Sequence, residues 1–384
     1  MQLFEEKNRI HEKPATHNED TYDYYDRSAR TDVSKVRDVL NIWFDEYPDK
    51  EKPEIKSRFR KTFSSAFYEL FVFNLFKNQG FDILIHPKVP NSNRRPDFLL
   101  SKNGVEFYLE AKVAKGESEE QEAYKKRINQ IYDSINTIKS PNFYFRIEEL
   151  DLKTKIQPST KQIRSTIENE LQKFDADEVS ELIKSSGFDR SPRISLEDNN
   201  LKLAISLIPK DPEHRNHNGR PIGVYQHGAY LGGEQESIKT SFKKKAKRYG
   251  KLDKPYIVCI NSVGKKFSGD YDVMNAVWGT EALSWTDDPN NDDEKLVRMR
   301  DGLVMGEKGP IHKDVSGILI SRVMEFNIAV SPHWLIKHPF TDKDLDFSLF
   351  EMTYQFLDKN KVETVNRKSI GEILKIKPNW LNEE

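Results

Sequence analysis

The chain has 384 residues, 36 % of them hydrophobic and 32 % charged, with 22 Phe and 15 Tyr available for a core. This is a polar but globular composition, long enough for one large domain or two ordinary ones. A formal net charge of −1 gives no global attraction to nucleic acid, so any such binding must come from local basic patches. The single cysteine, Cys259, excludes an intrachain disulfide framework and a multi-cysteine zinc site. Within Tyr256-Ile257-Val258-Cys259-Ile260 it reads as a small buried hydrophobe. No stretch approaches the ~20 apolar residues of a membrane span, and the start, MQLFEEKNRIHEK, lacks the apolar core of a signal peptide. A soluble, cytoplasmic protein is expected.

Residues 1–30 are polar, with Tyr22, Tyr24 and Tyr25 among acidic neighbours, and read as a loosely held arm. The spacing of Val33, Val36, Leu40 and Trp43 predicts a helix over 32–47, capped by Thr31 or Asp32. The basic link from Lys52 to Lys61 reads as a solvated helix start, with phosphate contact as the alternative. A second helix, Phe63 to Asn78 and closed by Gly80, is apolar around most of its circumference and should be buried. Glu69 lies in its middle. A buried carboxylate needs a partner, here either an arginine or lysine or a bound cation. A short strand, 81–86, ending in an ordinary strand-end histidine, His86, and a Pro- and Asn-rich link then lead to residues 95–112.

That stretch organises the chain. Two apolar-rich runs flank Asn103-Gly104, the strongest short-range signal for a two-residue type I′ hairpin. The turn sets the pairing: Lys102 with Val105, Leu100 with Phe107, Phe98 with Leu109, and Asp97 opposite Glu110. Alternation along the strand places Glu110 and Lys112 on the face of Asp97, and Phe98, Leu100, Val105, Phe107 and Leu109 on the other, against helices. Directly opposed like charges, with Cβ atoms ~5 Å apart, destabilise a strand pair. A divalent cation turns that repulsion into ligation, since Mg²⁺ and Mn²⁺ take hard oxygen donors. The pattern predicts a metal site with a lysine beside it.

Pro96-Asp97 followed by Glu110-Ala111-Lys112 resembles the motif of the PD-(D/E)xK nuclease superfamily, which includes restriction endonucleases. The likeness spans roughly residues 54–152. It implies a restriction-endonuclease-like core, a Mg²⁺ ion (Mn²⁺ as substitute) held by Asp97, Glu110, the Ala111 carbonyl and Glu69, and a Lys112 that assists the attacking water. Glu69, Asp97, Glu110 and Lys112 would then be the catalytic residues, and the products would carry 5′-phosphate and 3′-hydroxyl ends. By analogy with the family, a role in bacterial antiphage defence follows. The remainder of the chain is similar to long bacterial proteins carrying the same motif.

After Lys115-Gly116, Glu119 to Ile138 carries a helical stripe of isoleucines, and 142–147 reads as a strand. Arg127, Gln130 and Tyr132 on that helix could reach nucleic acid, as could Arg94 and Arg95 beside the motif. Helices are predicted over 159–174 and 177–186, then a hairpin of 193–196 with 201–208. His214 and His217 fall in a polar loop, more in keeping with exposure than with a metal pair. Ser237 to Tyr249 reads as a helix with the densest basic cluster in the chain, Lys243, Lys244, Lys245, Lys247 and Arg248, the best candidate for tracking phosphates, with a solvated face as the alternative. A buried strand, 255–260, follows. A short helix is expected over 270–278, an exposed acidic loop over 286–294, a strand over 315–322, an aromatic turn over 332–340 and helical spacing over 345–357.

The expected fold is α/β (α+β mixed sheet): a restriction-endonuclease-like core with helices on both faces, extended by a large C-terminal α+β region. The expected division is an arm and helix over 1–53, a nuclease-like core over 54–152, and a region over 153–384 packed on or continuous with the core sheet. An alternative makes 118–235 a long insertion, with the later helix and strand completing the core. The leading functional reading is a metal-dependent endonuclease acting on DNA. The alternatives are a catalytically silent module of nuclease fold binding nucleic acid or protein, and an RNA or nucleotide phosphodiesterase. The partner is a nucleic acid, no membrane is involved, and a homodimer or partner protein is left open.

Overall fold

The computed structural model describes the chain except residues 91, 117–118, 218, 226–232, 285–293, 360 and 383–384. Four helices come first: α1 (Thr21–Arg27), α2 (Thr31–Asp45), α3 (Lys52–Lys61) and α4 (Phe63–Lys77). Next are β1 (Asp82–Ile85), β2 (Phe98–Lys102) and β3 (Val105–Ala114). Then follow α5 (Glu119–Ile135), β4 (Phe143–Leu152), α6 (Thr160–Leu171), α7 (Ala176–Ser186), β5 (Arg193–Glu197), β6 (Leu201–Pro209) and β7 (Ile222–Val224). The chain continues through α8 (Gln235–Ala246), β8 (Tyr256–Ser262), α9 (Asp270–Trp278), β9 (Glu281–Ser284) and β10 (Lys295–Arg298). It ends with β11 (Met305–Gly306), β12 (Gly309–Pro310), β13 (Gly317–Ser321), β14 (His333–Lys337), β15 (Tyr354–Asp358), β16 (Lys361–Val365) and α10 (Ile370–Leu374).

These elements form two compact units. The first comprises Met1–Lys13, Asp20–Gly116 and Tyr230–Glu384, and the second Pro14–Glu19 and Glu117–Ala229. The first is built on an eight-stranded mixed sheet in the order β1-β2-β3-β8-β13-β14-β15-β16. β3, β8 and β13 run parallel, flanked by antiparallel pairs on either side. All seven residues of β8 are buried, as expected of a central strand covered on both faces. One face buries Phe98, Leu100, Phe107, Leu109, Ile257, Cys259 and Leu319 against residues of α2, α4 and α10. The other buries Tyr108, Val258, Ile260, Ile318 and Ile320 against α8 and α9. The protein is thus of mixed α/β class, with a large mixed sheet and helices on both faces. The thiol of Cys259 is buried, and burial pushes its pKa up, in keeping with a packing role.

The expected boundary at 152/153 is replaced by boundaries at 116/117 and 229/230. β4, expected within the nuclease-like core over 54–152, pairs instead with β6 and β7 in the second unit. The place next to β3 is taken by β8. In the second unit the sheet order is β5-β6-β4-β7. Its core joins Ile131, Ile135, Phe145, Ile163, Ile167 and Ile205, and His17 Nδ1 lies 2.8 Å from Asp133. His214 and His217 are exposed there.

Three further expectations are corrected. The N-terminal arm is held in place: Leu3 and Phe4 are fully buried, and Phe4 stacks on Tyr22 at 5.0 Å. The aromatic stretch at 332–340 contains β14, because Trp334, Leu335 and Ile336 are all buried in a strand paired with β13. The spacing over 345–357 does not make a long helix: a single 3₁₀ turn, Phe347–Leu349, precedes β15. There Phe350 enters an aromatic cluster with Phe76, Phe81 and Phe107, its ring centroid 5.7 to 6.0 Å from theirs. The expected acidic loop at 286–294 lies almost wholly outside the described residues.

Candidate active site

Asn103 and Gly104 both take positive φ, 53° and 79°, the conformation of a type I′ turn. The resulting register pairs Lys102 with Val105 through Phe98 with Leu109, as the turn chemistry predicts. Beyond the last strand pair the link passes to side chains. Asp97 Oδ2 accepts the N–H of Ala111 at 2.7 Å, and the N–H of Asp97 donates to Glu110 Oε2 at 3.3 Å. The two motif halves are therefore tied together at the end of the hairpin.

Asp97, Ala111 and Lys112 line a cavity of about 180 Å³ with Arg58, Ser65, Tyr68, Glu69, Val113 and Lys245. Asp97 makes no ion pair with a described residue. Burial, then the neighbouring carboxylates of Glu110 and Glu69, push its pKa well above the usual carboxylate range. Lys112 also has no ion-pair partner among the described residues. Its pKa is lowered by burial and then by Lys245, Lys244, Lys115 and Arg248.

The other two carboxylates are engaged. Glu69, on α4, receives Arg58 Nη2 at 2.6 Å and the Tyr47 hydroxyl at 3.2 Å. Its partner here is therefore an arginine, and Glu69 lines the cavity as a carboxylate held by Arg58. Glu110 receives Lys245 Nζ on Oε1 and the Tyr249 hydroxyl on Oε2. Tyr249 also lies 3.1 Å from the Arg95 carbonyl. Its single hydroxyl proton can serve one acceptor at a time.

The donor chemistry fits a hard divalent cation at Asp97 and Glu110, two adjacent carboxylates of which one makes no ion pair with a described residue. Glu69, Asp97 and Glu110 do not form a preassembled triad. Among the described residues, the one group of three ligand atoms mutually within 4.8 Å is Glu51, Glu54 and His86, at the surface.

Of the basic candidates, Arg94 and Arg95 are exposed just before Asp97, and Lys243, Lys244, Lys247 and Arg248 are exposed on and after α8. Lys245 alone of the five turns inward. Arg127 belongs to the second unit, where its guanidinium lies over Tyr124 and reaches the Thr154 carbonyl. Tyr132 likewise packs on His17 and Tyr225. The site residues that the motif did not identify are Tyr47, Arg58 and Tyr249. The one signal for Tyr249 is an aromatic closing a basic run, Lys243 to Arg248. No protein-family model, no curated protein and no solved structure matches the chain.

Proposed function

We propose that the chain is a metal-dependent endonuclease of the PD-(D/E)xK type, hydrolysing DNA phosphodiester bonds at a centre made by Asp97, Glu110 and Lys112. One observation carries this reading: an aspartate and a lysine that lack ion-pair partners among the described residues line one cavity, with Glu110 hydrogen-bonded to the backbone of that aspartate. A half-buried carboxylate with no ion-pair partner among the described residues is costly as structure alone.

A divalent cation held by Asp97 and Glu110 supplies charge stabilisation at the phosphoryl oxygens and lowers the pKa of water. The ammonium of Lys112 orients the attacking water and offsets negative charge that grows on the phosphate. Arg58 holds Glu69 at the cavity wall, and the Ala111 N–H fixes the carboxylate plane of Asp97. The exposed lysines around α8 favour a long polyanion over a single nucleotide.

A catalytically silent binding module is the second reading, favoured by the cationic partners that Glu69 and Glu110 already have. Cleavage of plasmid DNA, single-stranded DNA and RNA with Mg²⁺ or Mn²⁺ separates the two. Metal-dependent cutting that Asp97→Ala and Lys112→Ala abolish, with circular dichroism unchanged, is the expected result. No cutting of any substrate together with no divalent-ion binding in calorimetry would overturn the nuclease reading.

A further inference from the structure

The basic run on α8 is not uniform. Lys239 is buried against Asp301 and Glu236, Lys243 and Lys244 are exposed, and Lys245 points at the hairpin. Its side chain is 14 % exposed and meets a Glu110 side chain that is 2 % exposed. Tyr249, one turn further on, reaches the other oxygen of the same carboxylate. Two residues from one short stretch thus bracket one site carboxylate.

Charge counting gives this arrangement a meaning. Glu110 is ion-paired to Lys245, whereas Asp97 makes no ion pair with a described residue. A divalent ion between the carboxylates would take over the Glu110 oxygen that Lys245 now holds, and the Lys245 ammonium would then be surplus beside Lys112, which lines the same cavity. Like charges at that density are unfavourable unless an anion joins them.

We propose that Lys245 is a built-in substitute cation: it holds Glu110 in the metal-free protein and must leave that carboxylate for a divalent ion to bind. Tyr249 is the positioning residue that keeps Glu110 in place during the exchange. This inference rests on the nuclease reading of the site. Metal affinity is then set partly by competition with the protein's own ammonium group. Once released, that ammonium adds to the positive field at the cavity, so metal and a phosphate chain would bind with positive coupling.

The test is Mn²⁺ titration by calorimetry on the full chain, comparing wild type, Lys245→Met, Tyr249→Phe and Asp97→Ala. Lys245→Met keeps the aliphatic stem and removes the competitor. Its expected Mn²⁺ affinity is about tenfold or more above wild type, the equivalent of one charge-assisted hydrogen bond no longer broken. Tyr249→Phe should weaken Mn²⁺ binding, while Asp97→Ala abolishes it. Equal or weaker Mn²⁺ binding by a folded Lys245→Met, with wild-type binding still sensitive to Asp97→Ala, overturns the substitute-cation role and leaves the nuclease reading standing. No Mn²⁺ binding by either wild type or Lys245→Met overturns both. Binding by Lys245→Met alone supports the inference directly.

Discussion

The N–H of Ala111 donates to Oδ2 of Asp97 across 2.7 Å, so the side chain proposed to bind a cation also fastens the open end of the hairpin. Its two jobs separate chemically, because the hydrogen bond needs an acceptor and metal binding needs a charge.

Asp97→Asn keeps an acceptor for Ala111 and replaces a carboxyl whose ionisation burial, Glu110 and Glu69 oppose. Metal-free Asp97→Asn should therefore be at least as stable as wild type, while Asp97→Ala loses about 1 kcal/mol with the hydrogen bond. Both should cut DNA about a hundredfold or more slowly. Urea denaturation and plasmid cleavage check the pair, and an Asn variant less stable than the Ala variant would sink the argument.

Arg58 and Glu69 form the second pair to test. Removing one partner of a buried ion pair leaves the other charge stranded, typically costing about 3–5 kcal/mol. Glu69 is 4 % exposed at its side chain but Arg58 is 31 % exposed, so water reaches the pair and the lower end applies. Arg58→Met should destabilise by about 3 kcal/mol, and Glu69→Gln, which keeps the Tyr47 hydrogen bond, by less. Chemical denaturation of the two variants gives the order.

His338 predicts a pH dependence. It is fully buried, its Nδ1 accepts the Phe340 N–H, and its Nε2 faces the Ile311 carbonyl at 3.0 Å. Burial lowers its pKa from 6.5 to about 4, and that of His333 likewise to about 4. With folded values below the unfolded ones, the unfolded chain binds protons first. Stability should be full above pH 6.5 and fall as pH drops from 6.5 to 4, by up to ~3 kcal/mol for His338. Measured between those limits, His338→Gln should show a shallower slope than wild type.

The Gly116 N–H donates to Ser237 Oγ at 3.1 Å, so the chain leaves and re-enters the first unit at neighbouring points. Replacing residues 117–232 with a short Gly/Ser bridge should leave a cooperatively folding protein whose stability changes by no more than about 2 kcal/mol, since loop-closure entropy varies slowly with length. Loss of a single cooperative melting transition would count against this.

How far the chain could be read beforehand follows from the range of each interaction. The β2–β3 register is legible because Asn103-Gly104 determines it locally. The Arg58 partner of Glu69 is not, because nothing in α3 distinguishes Arg58 from Arg60 until the helices pack. The neighbour of β3 is ambiguous for another reason. α5 with β4 and α8 with β8 both read as helix then strand, and only burial on both faces marks β8 as the central one. Over 345–357, apolar residues at helical spacing serve an aromatic cluster instead. Lys245 is indistinguishable in sequence from Lys243 and Lys244, and its role exists only once α8 lies over β3.

Glu110 and Lys245 are 135 positions apart in the chain, and the second unit occupies most of that interval. On the ribosome, the hairpin that carries Asp97 and Glu110 emerges long before α8 and β8. Parallel pairing of β3 with β8 must wait for them, and such non-local contacts form slowly. Until then β3 has a bare edge, the kind of surface that recruits stray strands. The excursion therefore makes the centre of the sheet a late product of synthesis, and with it the carboxylate pair on which the proposed chemistry depends.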